Sequence, residues 1–407
     1  MTAPITLRSL APSAFLPPGL FALGQGAIAP VVVITARQLG ASSATAALVV
    51  AAAGLGQVLA DVPAGALATR FGEKRTMIGA AGLTAVAMAA CIWAPTLAVF
   101  TGAIFLTGAA TAVWLLARQA YLTEVVPFHL RARAMSTLGG VFRIGLFAGP
   151  FIGSLVISWV GTAGAYAVQM AAAAAAVIVL LCVRDITGRG GHPPGRADHP
   201  PVGTAAAAAA PSAVSTRQVL REHRGVFATM GTAVLLVAAV RAARQVVIPL
   251  WGAHLGLDPV TISIVFGISG AVDMLLFYPA GKVMDRFGRI WAAGPSMLVL
   301  GIGLVVLPLT SSVEMLTVVG VVMGIGNGIG AGLVMTLAAD ASPPQGRAVF
   351  LGLFRVFADS GNGVGPFVIA GITAVSTLGT GIVAMGVVGL LSAGLLTRWL
   401  PRATVGR

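Results

Sequence analysis

The sequence predicts an all-α membrane protein with twelve transmembrane helices in two six-helix halves. Three observations predict this fold: an apolar composition, twelve long apolar segments, and an internal repeat with an offset of 216 residues. Of the 407 residues, 57% are hydrophobic and only 9% are charged, whereas soluble domains carry about 25% charged residues. The mean hydropathy is +0.96. So little polar material cannot cover a soluble fold of this length, and we expect lipid to cover most of the surface.

Twelve segments of the chain meet the length requirement of a transmembrane helix, which is about 20 mostly apolar residues. In the first half they lie at about 15–37, 43–68, 76–94, 97–122, 134–158 and 163–183. In the second half they lie at about 226–252, 259–283, 290–309, 313–338, 348–372 and 377–400. Between the halves, a stretch rich in Gly, Pro, Arg and Ala lacks apolar periodicity, which is typical of a flexible linker. We therefore predict an N-terminal half at 1–185, a flexible cytoplasmic linker at 186–224 and a C-terminal half at 225–407.

The repeat aligns the two halves residue by residue. The stretch 63–72 matches 279–288 at six of ten positions. The same offset aligns Leu39-Gly40 with Leu255-Gly256, Glu124 with Asp340, and Gly145, Gly149 and Pro150 with Gly361, Gly365 and Pro366. One constant offset over more than 100 residues indicates two copies of one structural unit.

The distribution of Lys and Arg predicts the orientation in the membrane. With the N-terminus in the cytoplasm, 19 of the 25 Lys and Arg residues fall on the cytoplasmic side and only Arg37 lies outside. The net charge of +13 is therefore a topology signal, and no nucleic-acid partner is needed to explain it. We expect a multi-pass protein of the cell membrane with both termini in the cytoplasm. No stretch resembles a cleavable signal peptide, so the first span is expected to stay in place.

The loop between spans two and three carries a recognisable motif. It reads Gly65-Ala-Leu-Ala-Thr69-Arg70-Phe-Gly72-Glu73-Lys74-Arg75, and its second copy reads Gly281-Lys-Val-Met-Asp285-Arg286-Phe-Gly288-Arg289. With twelve spans and a long central loop, these stretches resemble the signature Gly-x-x-x-Asp-Arg-x-Gly-Arg-Arg/Lys of the major facilitator superfamily. In the first copy, Thr69 stands where that family has Asp. The resemblance covers nearly the whole chain and implies secondary transport by alternating access. It makes candidate gating residues of Gly65, Arg70, Gly72, Gly281, Asp285, Arg286 and Gly288.

Span five carries a second motif. It reads Gly145-Leu-Phe-Ala-Gly149-Pro150-Phe-Ile-Gly153-Ser154. This resembles the Gly-x-x-x-Gly-Pro-x-x-Gly-Gly motif of the drug:proton antiporters in that superfamily, with Ser154 in place of the last Gly. Glycines four residues apart let a neighbouring helix approach closely, and Pro150 interrupts backbone hydrogen bonding and bends the helix. The resemblance implies antiport and efflux, as in multidrug resistance, whereas generic helix packing is the alternative interpretation of the glycines.

Eight ionisable residues lie well inside the predicted spans. A charge at the centre of the bilayer costs about 2.5–3.5 kcal/mol, so we expect these residues to face the bundle interior, to pair, or to line a wet cavity. The alternative is a set of fixed ion pairs that hold helices in register. The eight residues are Asp61, Arg118, Arg143, Arg241, Arg244, Asp273, Arg355 and Asp359.

Depth along the helices suggests partners for four of these charges. In the superfamily, spans two and eleven meet, as do spans five and eight. At a rise of 1.5 Å per residue, Asp61 and Arg355 both lie about 12 Å from the cytoplasmic ends of their helices. Asp273 and Arg143 both lie about 18 Å deep. We therefore predict Asp61–Arg355 and Asp273–Arg143 contacts, with Asp359 as a competing partner for Arg355.

Protonation of a paired aspartate would break its ion pair and allow the two halves to move. We predict Asp61 and Asp359, and then Asp273, as proton carriers, because burial without the arginine partner would raise the pKa of such a group. The charge partners are Arg355 and Arg143.

The remaining intramembrane arginines predict a substrate cavity. Arg118, Arg241 and Arg244 have no obvious acidic partner at matching depth, and with Gln25 and Gln119 they form the predicted cavity. Their excess positive charge favours an anionic substrate or one with a carboxylate, because an unpaired charge is costly in the membrane. Alternatively, these arginines bond backbone carbonyls or glutamines.

Acidic residues at two equivalent helix ends predict ion pairs on the cytoplasmic face. The predicted pairs are Glu124 with Arg70 or Arg131, and Asp340 with Arg286 or Arg347.

The sequence favours a proton-driven exporter of a small amphipathic or anionic molecule such as a drug, a siderophore or another metabolite. Two alternatives remain: an uptake carrier for a metabolite, and a transporter-like sensor or scaffold that does not transport. An enzyme is not expected, because no catalytic constellation and no metal-ligand spacing are present. We expect no cofactor, with the proton gradient as the energy source, and a functional monomer.

Overall fold

The computed structural model describes residues 14–126, 130–183, 216–343 and 347–400, and every regular element within them is a helix. A π-helix, Phe227–Gly231, leads into α10, and a 3-10 helix, Leu307–Leu309, follows α12. The α-helices are α1 (Leu16–Ile28), α2 (Val31–Gln38), α3 (Ser43–Phe71), α4 (Glu73–Ile92), α5 (Leu97–Val125), α6 (Arg131–Val160), α7 (Ala163–Cys182), α8 (Thr216–Glu222), α9 (Arg224–Val226), α10 (Thr232–His254), α11 (Pro259–Phe287), α12 (Ile290–Val306), α13 (Val313–Ile329), α14 (Leu333–Ala341), α15 (Arg347–Val375) and α16 (Leu378–Trp399).

Ten helical segments of the described residues are long and apolar enough to cross a membrane. The pair α1 and α2, bent by 42°, makes an eleventh. The remaining long helix, α15, is not among them, because Arg355, Asp359 and Asn362 lower its hydropathy. With α15 included, these segments correspond one to one to the twelve predicted spans, and the predicted all-α fold is confirmed.

The described residues fall into two compact units. The N-terminal unit comprises Met1–Ala29 and Leu55–Ala208, and the C-terminal unit comprises Pro30–Gly54 and Ala209–Arg407. Helix α2 and the start of α3 thus group with the C-terminal unit. The predicted boundaries at 185 and 225 stay predictions, because residues 184–215 lie outside the described residues. The last part of the predicted flexible linker differs from the prediction, since residues 216–222 form helix α8.

In the N-terminal unit, α1 packs on α6 and α7, and α4 packs on α5 and α7. Its core includes Phe21, Met77, Trp114, Tyr121 and Leu180, all of them buried. Within a bilayer, lipid tails are as apolar as these side chains, so close packing rather than the hydrophobic effect holds such helices together.

The C-terminal unit repeats this pattern of packing. Helix α10 packs on α15 and α16, and α12 packs on α13 and α16. These pairs are the repeat equivalents of the four helix pairs in the N-terminal unit. The internal repeat seen in the sequence is therefore also a repeat of helix contacts.

Glycine pairs bring the first and fifth helices of each unit into backbone contact. A Cβ at Gly145 or Gly149 would collide with the backbone of α1, at the carbonyl oxygens of Gly19 and Leu23. A Cβ at the next motif glycine, Gly153, would lie only 3.1 Å from the Cβ of Ala27 on α1. The motif glycines of span five are therefore required for helix packing inside the N-terminal unit.

The C-terminal unit has the same device. A Cβ at Gly361 or Gly365 of α15 would collide with the carbonyl oxygens of Leu235 and Ala239 on α10. These contacts are the repeat equivalents of those made by Gly145 and Gly149. The pattern in span five is thus a packing element that both halves share.

Glycines in left-handed backbone conformations mark equivalent turns in the two halves. Gly40 and Gly256 have φ values of 87° and 76°, and Gly72 and Gly288 have values of 83° and 94°. Only glycine adopts such conformations without steric cost. This explains why Gly72 and Gly288 occur at the same place in both copies of the loop motif.

An aromatic cluster joins α8 and the π-helix to α15 in the C-terminal unit. Phe227 lies 4.9 Å from Phe350 and 5.5 Å from Phe354 between ring centroids, and His223 contacts Phe350 edge-on. Phe350 and Phe354 are buried. The segment that leads into the second half is therefore anchored on the helix that carries Arg355 and Asp359.

Equivalent side chains cap the second span of each half. The carboxylate of Asp258 accepts hydrogen bonds from the backbone N–H groups of Val260 and Thr261 at 2.9 and 3.0 Å. It also accepts one from the Thr261 hydroxyl at 2.6 Å. In the first half, Ser42 accepts from the backbone N–H of Thr45 at 3.1 Å. Both caps satisfy donors that have no partner within the helix.

We expect Asp258→Ala to lower the free energy of unfolding by about 1 kcal/mol at neutral pH. Hydrogen bonds from Thr261, first from its hydroxyl, hold the pKa of the Asp258 carboxyl below its ordinary value. A lowered pKa in the folded state stabilises the protein above the unfolded-state pKa, and this contribution is lost as the pH falls through the folded-state value. The difference between wild type and variant, measured as thermal stability in detergent, should therefore shrink below about pH 4.

The matched control is Ser42→Ala, which removes an uncharged cap at the equivalent position. Its cost should be of similar size but without this pH dependence, because a hydroxyl does not titrate in that range. A pH-independent effect of Asp258→Ala would contradict the prediction.

Candidate functional site

Three helices of the C-terminal unit bring charged and polar side chains into one buried network. Arg241 and Arg244 share a face of α10, because residues three apart are neighbours on a helix. Ser269 and Asp273 share a face of α11 for the same reason, and Asn327 lies on α13. We call these five residues the polar network of the C-terminal unit.

Asn327 links an arginine to the aspartate. Its Nδ2 donates to Asp273 Oδ2 at 2.6 Å, and its Oδ1 accepts from Arg241 Nε at 2.6 Å. Arg241 Nη2 also donates to the Asn327 backbone oxygen at 2.9 Å. The side chain of Asn327 therefore bridges the carboxylate of Asp273 and the guanidinium of Arg241.

Arg244 forms the ionic part of the network. Its Nη1 lies 3.8 Å from Asp273 Oδ2, and its Nη2 donates to Ser269 Oγ at 2.7 Å. The hydroxyl of Ser269 donates in turn to the carbonyl oxygen of Gly320. The side chains of Arg244 and Asp273 are only 7% and 17% exposed, so this ion pair is largely withdrawn from solvent.

Small residues of α13 allow this geometry. A Cβ at Gly324 would collide with the Ser269 carbonyl, and one at Gly328 would lie within 2.9 Å of the Asp273 carbonyl. The backbones of α11 and α13 therefore approach closely beside Asn327, and its short side chain reaches Asp273.

Two sequence predictions change here. Arg244, predicted to have no acidic partner, has Asp273 as its partner. The alternative that intramembrane arginines bond backbone carbonyls fits Arg241, which bonds the carbonyl of Asn327. Sequence reasoning missed Asn327 and Ser269, which carry no charge.

The N-terminal unit contains the repeat equivalent of one of these bonds. Gln25 Nε2 donates to Thr111 Oγ1 at 2.8 Å across 86 residues, and Arg241 bonds Asn327 across the same 86 residues. Each of these four residues aligns with its counterpart through the 216-residue offset. The repeat could have identified Asn327 from the sequence, since a polar residue stands at this repeat position in both halves.

Arg118 lies on the same helix as Thr111, two turns further on. Its guanidinium carbon lies 4.6 Å from the ring centroid of Phe142, on α6. Its Nε and Nη1 atoms are buried, and neither has a hydrogen-bond partner within the described part of the chain. Gln119, also predicted in the substrate cavity, is exposed.

One turn before Arg118, Trp114 is fully buried and stacks on Phe21 of α1, with ring centroids 4.4 Å apart. Its Nε1 also has no hydrogen-bond partner among the described residues. Trp251 of α10 provides a contrast, because its Nε1 donates to Thr310 Oγ1 at 2.8 Å.

The other predicted proton carriers lie outside the polar network. In the C-terminal unit, Arg355 Nε lies 3.4 Å from Asp359 Oδ2, which agrees with Asp359 as a partner of Arg355. Asp61 and Arg143 are half-buried. The Asp61–Arg355 and Asp273–Arg143 contacts would join the two units, and they stay predictions.

The second copy of the loop motif forms an ion-pair cluster. Arg289 Nε donates to Asp340 Oδ2 at 2.9 Å, and Arg289 Nη1 lies 4.0 Å from Asp285. This differs from the predicted pair of Asp340 with Arg286, because Arg289, three residues beyond Arg286, reaches the end of α14. The alternative pair with Arg347 stays a prediction. The side chains of Glu124, Arg131 and Arg347 lie outside the described residues.

The first copy of the motif has a threonine at the position of Asp285 in the second copy. Thr69, in place of the family's Asp, donates its hydroxyl to the Ala66 carbonyl at 3.0 Å. Lys74 instead donates to the Val183 carbonyl at the end of α7, at 2.7 Å. Arg70 is exposed over the ring of Phe71, as Arg286 is over Phe287. A Cβ at Gly65 or Gly281 would meet open space.

A cavity of about 350 Å³ in the N-terminal unit lies apart from these groups. It opens between α3, α4 and α5, and its lining is almost entirely apolar, including Leu67, Phe71, Leu83 and Val113. Because none of the predicted site residues lines it, this cavity is not the candidate site.

Comparisons with known proteins identify the family. The chain resembles the structures of a D-xylose–proton symporter (16% identity, 97% of this chain and 98% of the other, TM-score 0.73) and of a bacterial homologue of the human lysosomal transporter Spinster (16% identity, 97% of both chains, TM-score 0.75). It also resembles a human organic anion transporter (14% identity, 97% of this chain and 100% of the other, TM-score 0.67). At these identities the likeness shows the fold alone. No curated relative matches the chain.

The model of the family described as Major Facilitator Superfamily matches residues 19–243 and again residues 230–407. The two matches follow the two halves of the repeat. The chain therefore belongs to the Major Facilitator Superfamily, whose members are membrane-embedded transporters of small molecules and not enzymes.

Proposed function

We propose that the protein is a proton-coupled antiporter that exports a small amphipathic or anionic molecule by alternating access. The observation that carries the proposal is the polar network of the C-terminal unit. It places one titratable carboxylate, Asp273, against Arg244 and Asn327 within the span region. Through Asn327 the same carboxylate is linked to a second arginine of α10, Arg241.

Protonation of Asp273 changes this network in a defined way. The ionised carboxylate compensates the charge of Arg244 and accepts the hydrogen bond of Asn327. A protonated carboxyl leaves Arg244 buried without a counter-charge, which is costly in a membrane interior. The arrangement of α10, α11 and α13 is therefore less stable when Asp273 is protonated than when it is ionised. This difference in stability can couple proton binding to a conformational change.

Asp61 and Asp359 remain proposed as further proton carriers. Asp359 pairs with Arg355 one turn away, and its side chain is only 16% exposed. Removal of its proton would therefore restore an ion pair within α15. We propose that Asp273 provides the coupling and that Asp61 and Asp359 modulate it.

The export direction is supported by the likeness of the Gly145–Gly153 stretch to the antiporter motif. The packing of these glycines does not itself distinguish export from uptake, because Gly361 and Gly365 pack in the same way. Uptake of a metabolite is therefore the second candidate function. We further propose a monomer in the cell membrane with both termini in the cytoplasm, an orientation supported by the distribution of Lys and Arg.

The test uses everted membrane vesicles that carry the protein and are energised so that the lumen becomes acidic. Cationic, neutral and anionic compounds are added in turn, and the luminal pH is followed. For an antiporter we expect luminal alkalinisation with at least one compound class in wild type and its loss in Asp273→Asn. The control variant is Asp258→Asn, which neutralises an exposed carboxylate at the start of α11, keeps a capping side chain there and should respond like wild type.

A full response in Asp273→Asn, at equal expression, would remove Asp273 from the coupling mechanism. Compound-driven acidification of the lumen of right-side-out vesicles would favour proton-coupled uptake over export. Binding of a compound without any pH response in either orientation would support a sensor that does not transport.

A further inference from the structure

The N-terminal unit contains three buried N–H groups on one helix that lack an acceptor. They are Nε1 of Trp114 and the Nε and Nη1 atoms of Arg118, with no hydrogen-bond partner in the part of the chain that the structure describes. Buried polar groups are nearly always hydrogen-bonded, and each one left unsatisfied costs about 1–3 kcal/mol. Three such donors one helical turn apart on α5 therefore point to an acceptor that comes from outside the chain.

The surroundings of these donors do not provide that acceptor. The guanidinium of Arg118 lies on the face of Phe142, which compensates part of its charge but accepts no in-plane N–H bond. The ring of Trp114 stacks on Phe21, which has no acceptor at all. Gln25, which lies one turn after Phe21 on α1, donates its amide nitrogen to Thr111.

We infer that Trp114 and Arg118 form a binding site for the carboxylate of a small organic anion. This inference rests on the proposed function, because it specifies the class of molecule that is transported. The site has one positive charge and three N–H donors, which suits a singly charged planar acceptor better than a doubly charged phosphate. The rings of Phe21 and Phe142 add apolar surroundings, so the substrate is an amphipathic carboxylate rather than a small hydrophilic ion.

The two halves then have different tasks. The C-terminal unit has its own carboxylate, Asp273, which compensates Arg244. The N-terminal unit has no such acidic partner at Arg118 among the described residues, so the substrate supplies the negative charge. The substrate and the coupling proton of Asp273 thus act on different units of the protein.

The test measures equilibrium binding to the purified full-length protein in detergent at pH 7.5, by thermal-shift titration. The probe is 2-naphthoate, and the matched neutral compound is 2-naphthamide, which has the same ring without the charge. We expect 2-naphthoate to bind at least tenfold more tightly than 2-naphthamide. Arg118→Gln should weaken 2-naphthoate binding by about 10–100-fold, because it removes hydrogen bonds to a charged group.

The most specific variant is Trp114→Phe, which keeps the stacking on Phe21 but removes the N–H donor. It should weaken 2-naphthoate binding by about tenfold, leave 2-naphthamide binding unchanged and leave the melting temperature of the free protein unchanged. The matched control is Trp251→Phe, which removes a donor that already has Thr310 as its acceptor. This control should lower the melting temperature and leave the affinity for 2-naphthoate unchanged.

Equal affinities for 2-naphthoate and 2-naphthamide, or no binding of either, would overturn the inference. So would unchanged binding in both Arg118→Gln and Trp114→Phe. Competition by inorganic phosphate as strong as that by acetate would overturn the assignment to carboxylates. Equilibrium binding depends neither on a proton gradient nor on the direction of transport. If the antiport assay failed while 2-naphthoate still bound, the proposed function would be rejected and the binding site would stand.

Discussion

Arg244→Met is expected to destabilise the protein by about 3–5 kcal/mol, because it leaves the buried Asp273 carboxylate without its counter-charge. Methionine keeps much of the volume of the arginine stem, so the loss reports the charge and not a cavity. Arg244 is 6% exposed, and its guanidinium also donates to Ser269. The measurement is the melting temperature and the folded yield of the purified protein.

A double-mutant cycle identifies the cause of this loss. If the uncompensated carboxylate is responsible, Arg244→Met combined with Asp273→Leu should recover most of the stability lost in the single variant. Ser269→Ala should cost about 1 kcal/mol, since it removes only a neutral hydroxyl from the network. Equal instability of the single and double variants would show that Arg244 acts through packing instead.

Gly365→Ala is expected to prevent normal folding of the C-terminal unit, although alanine is the better helix former by about 1 kcal/mol. The added methyl group would collide with the carbonyl oxygen of Ala239 on α10, and a backbone atom cannot move away without separating the helices. Overpacking typically costs about 1–3 kcal/mol where side chains can adjust, and here the obstacle is backbone. We expect a large loss of monodisperse protein in detergent.

The matched control is Gly363→Ala, two residues away on the same helix, where the added Cβ would meet open space. This variant should retain the wild-type yield, or gain slightly from helix propensity. Gly149→Ala, the equivalent of Gly365→Ala in the N-terminal unit, should reproduce the defect, because its Cβ would collide with the Leu23 carbonyl. Normal folding of both Gly365→Ala and Gly149→Ala would contradict this account.

The packing role of these glycines bears on the antiporter resemblance. The stretch around Gly145 and Gly149 resembles a motif of drug:proton antiporters, yet Gly361 and Gly365 pack on α10 as those glycines pack on α1. Close approach of the first and fifth helices is therefore a property of the repeated unit. The proposed export direction needs the vesicle experiment for its support.

The depth count missed one ion pair, and the two contacts that it predicted, Asp61–Arg355 and Asp273–Arg143, stay predictions. Counting residues from the cytoplasmic helix ends did not match Arg244 with Asp273, although the two form an ion pair. The count gives the depth of a Cα atom along an ideal straight helix. Helices tilt by about 20° on average, and the long, flexible stem of arginine carries its guanidinium away from the depth of its Cα atom. The same count cannot give the rotation of a helix about its axis, which decides the neighbour that a side chain faces.

Asp340 shows the same limit at the surface. Sequence reasoning named Arg286 as one partner of Asp340, and the structure pairs Asp340 with Arg289 instead. The other predicted partner, Arg347, has its side chain outside the described residues. Residues 286 and 289 are three apart on a short segment where α11 ends, and Gly288 turns the chain there with a φ of 94°. The turn, and not the distance along the sequence, determines which arginine reaches α14.

The sequence by itself determined the twelve spans, the internal repeat and the family. These features follow from local composition and spacing, because a span is recognised by its length and hydropathy and a repeat by its offset. The tertiary structure alone decided that Asn327 and Ser269 join the network of Asp273. It also decided that Trp114 and Arg118 have donor atoms without an acceptor in the described parts of the chain. The physical reason is that a polar side chain in a membrane protein is satisfied by whichever neighbour the helix packing brings within about 3 Å, and this neighbour can lie anywhere in the sequence.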